Sequence, residues 1–334
     1  MQPEKSIRSI VCTILFTLLL GLVLASCQNS GPAGNGGGAN SGGKKKLAFV
    51  TNNAADFWTL ARKGTEAAAK ELPNATVEFR LADGTAAEQR RIVDDLLTKG
   101  VRGIAISPVD PANQTQMIND IAKKGVIITQ DSDAPGSDRM AYIGTDNVAA
   151  GRQAGSLLKQ ALPRGGKIML FVGKNDVQNA RERTEGIRQE IAGSKIEILD
   201  VKTDDTDQVR AKANAADTIV KHPDVVAMVG LWSYNGPAIV SALKDAGKTG
   251  KIQVVCFDDD PATIAGIMDG TVYGTVVQQP YQFGYQAVLL MNQIIGGDKS
   301  GIPPTKQRFI PTLAVTKQNL SDYSNEIKKL KGEN

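Results

Sequence analysis

Short apolar, β-branched runs recur along this chain, and each is followed by polar or aromatic residues and then by a helical pattern. The clearest example is VVCFDDDP at 254–261, in which three carboxylates and a helix-opening proline follow the run. The same pattern occurs in LAFVTNN (47–53), GIAISPVD (103–110), VIITQDSD (126–133), KIMLFVGKND (167–176), VVAMVGLWSYN (225–235) and TVVQQPY (275–281). Ligands of open α/β sheets bind beyond the carboxyl ends of the strands. The pattern therefore predicts one site built from many strand ends, with Asp258 as a candidate ligand contact.

The spacing of these runs predicts the fold class. Strands alternate with helical patterns between residues 47 and 142, and again between 167 and 277. Such alternation favours a parallel, doubly wound sheet in each half. A chain of 334 residues also exceeds the usual size of a single hydrophobic core. We therefore predict two similar α/β domains rather than one long sheet.

Helix start signals lie at the junctions between strands and helices. Thr85 and Glu88 form a capping box, in which the hydroxyl and the Glu side chain each satisfy a free backbone N–H. Asp260 precedes Pro261, so we expect this aspartate to cap a helix that begins with proline. Of the three adjacent carboxylates, only Asp258 is then free for a ligand, and Asp259 has no assigned role.

The charge balance argues against a nucleic-acid partner. The formal net charge is +4, and the charged residues are scattered apart from a short lysine run at 44–46. A protein that binds nucleic acid usually carries a basic patch or stripe on one face. We therefore expect no nucleic-acid binding.

The first 27 residues have the pattern of a secretory signal. Lys5 and Arg8 precede an apolar run at 10–24, which is shorter than the roughly 20 residues of a membrane span. The run ends in LASC, which resembles a bacterial lipobox. That resemblance implies that Cys27 is lipidated and anchors the chain to a membrane. The alternatives are a plain signal peptide cleaved nearby or an uncleaved anchor.

A polar, glycine-rich segment at 28–43 follows and is predicted to be a flexible tether. The globular body then begins at residue 44, outside the cytoplasmic membrane. We expect an exported protein at the periplasmic or extracellular face of the cell envelope.

Candidate catalytic and metal-binding groups are scarce. The only histidine, His222, lies before Pro223 at a predicted helix end, so a Ser-His-Asp or Cys-His arrangement lacks its base. No glycine-rich phosphate motif occurs. With Cys12 removed and Cys27 lipidated, Cys256 alone cannot form a disulfide or a cysteine metal site. We predict no enzyme activity, no catalytic residue, no metal and no cofactor.

The strand-end residues suit a neutral, hydroxyl-rich ligand. Carboxylates accept hydrogen bonds from pairs of vicinal sugar hydroxyls, and Asn, Gln and Arg supply donors; charge-assisted bonds of this kind are about twice as strong as neutral ones. Sugars also present C–H faces that pack on aromatic rings.

Structural alternatives remain open for several of these residues. They are helix capping for Asn235, core packing for Trp58 and Trp232, solvent exposure for Arg181, and a hinge role for Gln278.

Taken in order, the motifs resemble the sugar-binding proteins of bacterial ABC transporters, specifically the type I periplasmic binding proteins similar to ribose-binding protein. The resemblance spans nearly all of 46–316. It lies in Phe57-Trp58, SPVDP, TQDSDAP, YIGTDNVAAG, NARERTEG, HPDVVAMVG with Asn235, VVCFDDDP and VVQQPYQFG.

The resemblance implies ligand contacts at Phe57, Trp58, Asp131, Arg181, Asn235, Asp258 and Gln278, with Ser107 at a position that is often an amide in ribose binders. Ser132 stands where an arginine is expected, and Thr206 stands where an aromatic residue is expected. These departures argue against ribose itself. Asn53 lies in a loop longer than that of ribose binders and has no certain counterpart.

The family also implies three crossings of the chain between two lobes, near Asp146, Gln279 and 305–311. The N-terminal sugar-binding lobe would then comprise 44–146 and 280–308, and the C-terminal lobe 147–279 and 309–334.

The function expected from the sequence is that of a monomeric, lipid-anchored solute-binding protein. It would capture a monosaccharide, a pentose or a hexose, between its lobes and deliver it to an ABC transporter permease. A ligand-sensing receptor subunit, for chemotaxis or an autoinducer-2-like signal, is the alternative with the same fold. LacI-type repressors share the fold but need a DNA-binding helix-turn-helix where this chain has its lipobox.

Overall fold

The computed structural model describes residues 43–333. The predicted signal peptide, the predicted lipidation site Cys27 and all but the last residue of the predicted tether lie outside the described residues. Within 43–333, no helix is long and apolar enough to span a membrane.

The chain alternates strands and helices as the apolar runs predict. The first half contains β1 (Lys45–Val50), α1 (Phe57–Glu71), β2 (Ala75–Arg80), α2 (Ala86–Thr98), β3 (Gly103–Ile106), α3 (Pro111–Ala122), β4 (Val126–Gln130), β5 (Tyr142–Gly144) and α4 (Asn147–Ala161). The second half contains β6 (Gly166–Val172), α5 (Gln178–Ile191), β7 (Ile196–Thr203), α6 (Gln208–Lys221), β8 (Val225–Gly230), α7 (Asn235–Asp245), β9 (Gln253–Phe257), α8 (Pro261–Asp269), β10 (Gly274–Val277), α9 (Pro280–Ile295), β11 (Gln307–Phe309), β12 (Leu313–Thr316) and α10 (Leu320–Lys331).

The strands form two six-stranded sheets with the same topology. The order is β11-β5-β4-β3-β1-β2 in the sheet of lobe 1 and β12-β10-β9-β8-β6-β7 in the sheet of lobe 2. The pairings are parallel except for β12, which runs antiparallel to β10. The predicted fold class, two similar doubly wound parallel-sheet lobes, is confirmed. Because the orders match, β4 of lobe 1 and β9 of lobe 2 are equivalent strands.

The chain passes between the lobes three times. It leaves the lobe 1 sheet after β5, returns after β10, and crosses again between β11 and β12. Helix α9 packs on α1 and the lobe 1 strands, whereas α4 packs on α5 and the lobe 2 strands. The carboxyl ends of both sheets therefore lie beside the crossing segments.

Helix capping agrees with the sequence in part. Asp260 Oδ1 accepts a hydrogen bond from the Ala262 amide at 2.9 Å, which confirms its capping role. Thr85 Oγ1 caps α2 through the Glu88 amide at 3.2 Å. The Glu88 carboxylate does not complete the predicted box, because it pairs with Arg91 at 2.7 Å. Asp83 instead accepts the Thr85 N–H at 2.9 Å.

Helices α4 and α5 of lobe 2 lie unusually close together because glycines form their contact. A Cβ added at Gly151 would lie 2.2 Å from the Arg183 carbonyl oxygen, and one added at Gly186 would lie 2.1 Å from that of Val148. No side chain larger than hydrogen fits at either position without moving backbone. This contact fixes the rotation of α5 and therefore the direction in which Arg183 points.

Candidate ligand-binding site between the lobes

Two aspartates occupy equivalent positions at the ends of β4 and β9. Asp131 has φ of 59° and Asp258 has φ of 66°, values that a non-glycine residue adopts at a cost of about 1–3 kcal/mol. Side chains hold both backbones in place: Tyr142 Oη donates to the Asp131 carbonyl at 2.9 Å, and Thr275 Oγ1 donates to the Asp258 carbonyl at 2.7 Å. The structure thus maintains a strained turn at the same point of each lobe.

Asp131 is the lobe 1 carboxylate of the site. Ser107 Oγ donates to its Oδ2 at 2.8 Å, and Asn52 Nδ2 lies 3.3 Å from the same oxygen. Burial raises the pKa of Asp131 to about 6, although the Ser107 bond and the charge of Arg183 lower it. Asn52 Oδ1 is buried and has no hydrogen-bond partner in the described part of the chain. Such an orphaned acceptor is expected where a ligand hydroxyl binds.

Arg183, on α5 of lobe 2, is the buried cation whose charge acts on both carboxylates. Only 3% of it is exposed. Its Nε donates to Asn147 Oδ1 at 3.0 Å, its Nη1 donates to the Leu231 carbonyl at 2.6 Å, and its guanidinium lies 4.4 Å from the centroid of the Phe257 ring. Burial lowers the pKa of Arg183, whereas the negative charges of Asp258 and Asp131 raise it. We call Asp131, Arg183 and Asp258 the central cluster.

Asp258 is the lobe 2 carboxylate and is 6% exposed. Gln278 Nε2 donates to its Oδ1 at 2.9 Å, and Gln278 Oε1 in turn accepts from Thr145 Oγ1 at 2.8 Å. Burial raises the pKa of Asp258, and the charge of Arg183 and the Gln278 bond oppose that rise. Because Thr145 and Gln278 follow β5 and β10, this chain of bonds joins the cluster to two crossing segments.

Asp259, which the sequence left without a role, is bound by the C-terminal helix. Tyr323 Oη on α10 donates to Asp259 Oδ2 at 2.7 Å. The bond fixes the residue immediately after the strained turn at Asp258. Helix α10 therefore stabilises the lobe 2 part of the site through a residue that is adjacent to Asp258 in the chain.

The predicted aromatic pair lies mainly in the lobe 1 core. Trp58 is 2% exposed, and its Nε1 donates to Asn53 Oδ1 at 3.1 Å. Phe57 is half-buried and packs edge-on against Trp58, with ring centroids 4.9 Å apart. The structure thus follows the core-packing alternative for Trp58. Trp232 in lobe 2 is likewise partly buried against the core, and its Nε1 donates to Asn179 at 3.0 Å.

The arginine in the central cluster is not the one expected from the sequence. Arg181 is exposed and donates to the Asp176 carbonyl, whereas Arg183, two residues further along α5, points inward. Arg183 rather than Arg181 therefore belongs to the central cluster, and Arg181 follows the solvent-exposed alternative. The signal was present in the helix, because Ala180, Arg183, Thr184 and Ile187 share its buried face.

Asn235 belongs to a neighbouring network within lobe 2. It is 1% exposed; its Oδ1 accepts from the Trp232 amide and its Nδ2 donates to Asp204 Oδ2, both at 3.0 Å. Tyr234 also donates to Asp204. Burial raises the pKa of Asp204, and the bonds from Tyr234 and Asn235 lower it. Both polar groups of Asn235 are thus engaged inside the protein, although not as the helix cap that the sequence offered as an alternative, because Asn235 begins α7 and accepts from the preceding Trp232.

Two matching lobes with ionisable side chains from both at their interface define a two-domain ligand-binding protein. A family model described as a periplasmic binding protein domain matches residues 47–299. The chain therefore belongs to the periplasmic binding protein family. Members of this family are solute-binding proteins rather than enzymes. Within residues 43–333, no three His, Cys, Asp or Glu side chains are grouped so as to hold a metal ion.

Several relatives of this chain are sugar-binding proteins. Ribose import binding protein RbsB of Salmonella typhimurium is 28% identical over 265 residues, covering 78% of this chain and 88% of that protein. GanP, a glucose-galactose binding protein from Geobacillus stearothermophilus, is 29% identical with a TM-score of 0.77, covering 83% of this chain and 99% of that one.

An ABC transporter solute-binding protein from Burkholderia graminis, solved with D-arabinose, is 28% identical with a TM-score of 0.78, covering 85% of this chain and 99% of that one. The resemblance to type I periplasmic sugar-binding proteins is confirmed, and membership of this family implies an exported, periplasmic protein.

Proposed function

We propose that this protein captures a monosaccharide, a pentose or a hexose, between its lobes and delivers it to an ABC transporter permease. One observation carries the proposal: Asp131 and Asp258 lie at equivalent strand ends of opposite lobes, and both have positive φ. A ligand that bonds to this cluster contacts both lobes at once.

The chemistry of the cluster suits a neutral polyol. The direct side-chain bonds of Asp131 engage Oδ2, and that of Asp258 engages Oδ1. Each carboxylate can use its other oxygen to accept a sugar hydroxyl, and Asn52 Oδ1 adds a neutral acceptor. A micromolar affinity needs about −8 kcal/mol, which several charge-assisted bonds can supply.

Closure of the lobes is the proposed mechanism. The ligand bonds to Asp131 in lobe 1 and to Asp258 and Arg183 in lobe 2, so it stabilises the closed state over the open one. Thr145 and Gln278 lie on the crossing segments and bond to each other at 2.8 Å. Their bond connects ligand contact at Asp258 to the segments that must bend. The closed surface is then what the permease recognises.

The anchor is a separate part of the proposal. The apolar run at 10–24 and the LASC sequence support export followed by lipidation of Cys27, with 28–43 as the tether. We propose that the protein acts as a monomer on the outer side of the cytoplasmic membrane. No contact within residues 43–333 favours the alternative function, that of a sensing receptor subunit, over transport.

A thermal-shift screen against pentoses, hexoses, polyols and inositols tests the proposed function. A ligand present at 100 times its dissociation constant adds about 2.7 kcal/mol to the free energy of unfolding. We expect at least one pentose or hexose to raise the melting temperature by several degrees. If none of these compounds stabilises the protein, the proposal of a sugar ligand is wrong.

Sugar affinity is expected to fall as the pH drops below about 6. The ligand-free protein has an Asp131 pKa of about 6, and the ionised carboxylate is the form that accepts sugar hydroxyls. Protonation therefore competes with binding, and the dissociation constant should rise up to about tenfold per pH unit below that pKa. Calorimetry between pH 5 and 8 measures the effect.

Asp131→Asn provides the control, because it should remove most of this pH dependence. Affinity that is constant or improves at pH 5 would contradict the assignment. The stability of the ligand-free protein should follow the opposite trend. Because the folded pKa of Asp131 lies above the unfolded value, its contribution favours folding at low pH and is lost as the pH rises through 6.

Tyr323→Phe is expected to weaken sugar binding about threefold to tenfold, because it removes the bond to Asp259 and loosens the turn at Asp258. Asp259→Ala should cause a similar loss, and the double variant should lose no more than either single one. Asp259→Asn keeps an acceptor for the hydroxyl and serves as the conservative control. Additive losses would show that the two residues do not act through each other.

A further inference from the structure

We propose that the binding site continues into a second subsite, and that the monosaccharide held between the lobes binds most tightly when it forms part of a neutral disaccharide or glycoside. This inference rests on the proposed function and specifies its substrate class. A cavity of about 710 Å³ lies between the lobes, and Asp131 of the central cluster forms part of its wall.

The volume of the cavity exceeds what one monosaccharide needs. A water molecule takes about 30 Å³ in the liquid, so the cavity has room for roughly 24 atoms of that size. A hexose has about 12 non-hydrogen atoms and a disaccharide of two hexoses about 23. The cavity thus has room for a second sugar unit.

The cavity adjoins the central cluster without coinciding with it. Its wall includes Asp131 but neither Arg183 nor Asp258. The remaining wall comes from the loop after β3 with the start of α3, from the start of α5, and from β5 and β11. A sugar bonded to both carboxylates would therefore lie at one end of the cavity. A substituent on that sugar, on the side of Asp131, would enter the cavity itself.

The wall has the side chains that a second sugar unit requires. Phe309 on β11 is 46% exposed and packs edge-on against Tyr142, with ring centroids 6.2 Å apart. Both residues line the cavity, but Tyr142 is 3% exposed, so the ring of Phe309 is the one that can pack against a sugar C–H face. Asn179, Lys174 and Arg181 lie on the opposite, lobe 2 wall and supply polar groups for hydroxyls. Arg181 would therefore lie beside the second sugar unit, whereas the sequence predicted a contact with the first.

The charges of the wall favour a neutral ligand. Acidic side chains outnumber basic ones, which disfavours a sugar phosphate or a uronic acid. Three of the acids are already engaged: Asp110 and Asp146 cap helices, and Asp133 forms a buried pair with Arg139. These bonds leave the wall with few carboxylates free to hold a cation.

Calorimetry of the purified full-length protein tests the proposal. The probes are the pentoses and hexoses that bind, and neutral α- and β-linked disaccharides and methyl glycosides built from them. We expect at least one disaccharide to bind at least tenfold more tightly than its component monosaccharide. Phe309→Ala should remove most of that difference while leaving monosaccharide affinity unchanged.

Leu313→Ala is the matched control, because Leu313 is a similarly exposed apolar residue, 44% exposed, that lies outside this cavity. It should change neither affinity. Lys174→Ala, at an exposed position on the cavity wall, is a second variant that should weaken only the disaccharide.

If monosaccharides bind and every disaccharide binds more weakly than its components, the second subsite is refuted and the proposed function stands. If no mono- or disaccharide binds, both are refuted. A Phe309→Ala variant that weakens both ligands equally would place the ring in the first subsite and also overturn the proposal.

Discussion

Asp258→Asn is expected to weaken sugar binding at least about a hundredfold, which corresponds to about 2.8 kcal/mol. The substitution keeps the shape of the side chain and removes the charge that faces Arg183 inside the protein. Gln278 Nε2 also loses a charged acceptor, and hydrogen bonds to charged groups contribute about 1.5–3 kcal/mol. The sugar also loses a charge-assisted bond, because an amide accepts hydroxyls more weakly than a carboxylate. Calorimetry with the best ligand of the thermal-shift screen measures the loss.

Asp259→Asn is the matched control for this variant. It neutralises the adjacent carboxylate but keeps an acceptor for Tyr323, so we expect affinity within about threefold of the original. Circular dichroism and the unfolding midpoint of both variants show whether the fold is preserved. Retained affinity in a folded Asp258→Asn protein would remove Asp258 from the ligand site.

The strand-end rule explains why part of the site was predictable from the sequence. Ser107, Asp131 and Asp258 follow β3, β4 and β9, and the carboxyl ends of parallel strands meet along one edge of a sheet. Gln278 follows β10 for the same reason. The strand-end pattern itself selected Asp258, whereas the family resemblance supplied Ser107, Asp131 and Gln278, which follow strands in the same way. The two-lobed fold followed from the repeated alternation of strands and helices.

Residues on helices and in loops were harder to place. The motif NARER offers two arginines, and the family resemblance placed the ligand contact at Arg181. In the structure, the close contact of Gly151 and Gly186 across α4 and α5 holds the face that carries Arg183 inward. Choosing the buried face of α5 by its apolar spacing would have favoured Arg183 over Arg181.

The first strand shows a similar difficulty. The resemblance led to the aromatic pair after β1, yet Trp58 packs into the lobe 1 core, and Asn52 is the residue of that loop that reaches Asp131. An amphipathic helix must bury one face, and a tryptophan on that face contributes more by burial than a small amide does. The sequence also left open whether Asn235 contacts the ligand or has a structural role, because an amide side chain can form the hydrogen bonds of either.

Arg183→Met is expected to destabilise the ligand-free protein by about 3–5 kcal/mol at pH 7.5, and to abolish sugar binding. Methionine fills a similar volume without the charge, so the buried Asp258 and the partly buried Asp131 would lose the positive charge that offsets theirs. The Asn147 and Leu231 oxygens would also lose their donor. Urea denaturation of the variant and the parent protein gives the difference in free energy of unfolding.

The pH dependence of that difference distinguishes uncompensated charge from simple loss of packing. Without Arg183 the pKa values of both carboxyls rise further, since its charge lowers them in the parent protein. A folded pKa above the unfolded value means that stability is recovered as the pH falls through the folded pKa. The loss in free energy of unfolding at pH 5 should therefore be clearly smaller than at pH 7.5, and Asp131→Asn should restore part of it at pH 7.5.

Arg181→Met, on the exposed face of the same helix, is the matched control and should change stability by less than about 0.5 kcal/mol at either pH. A deficit that is the same at both pH values, or shared by the Arg181 variant, would mean that Arg183 stabilises lobe 2 by packing alone.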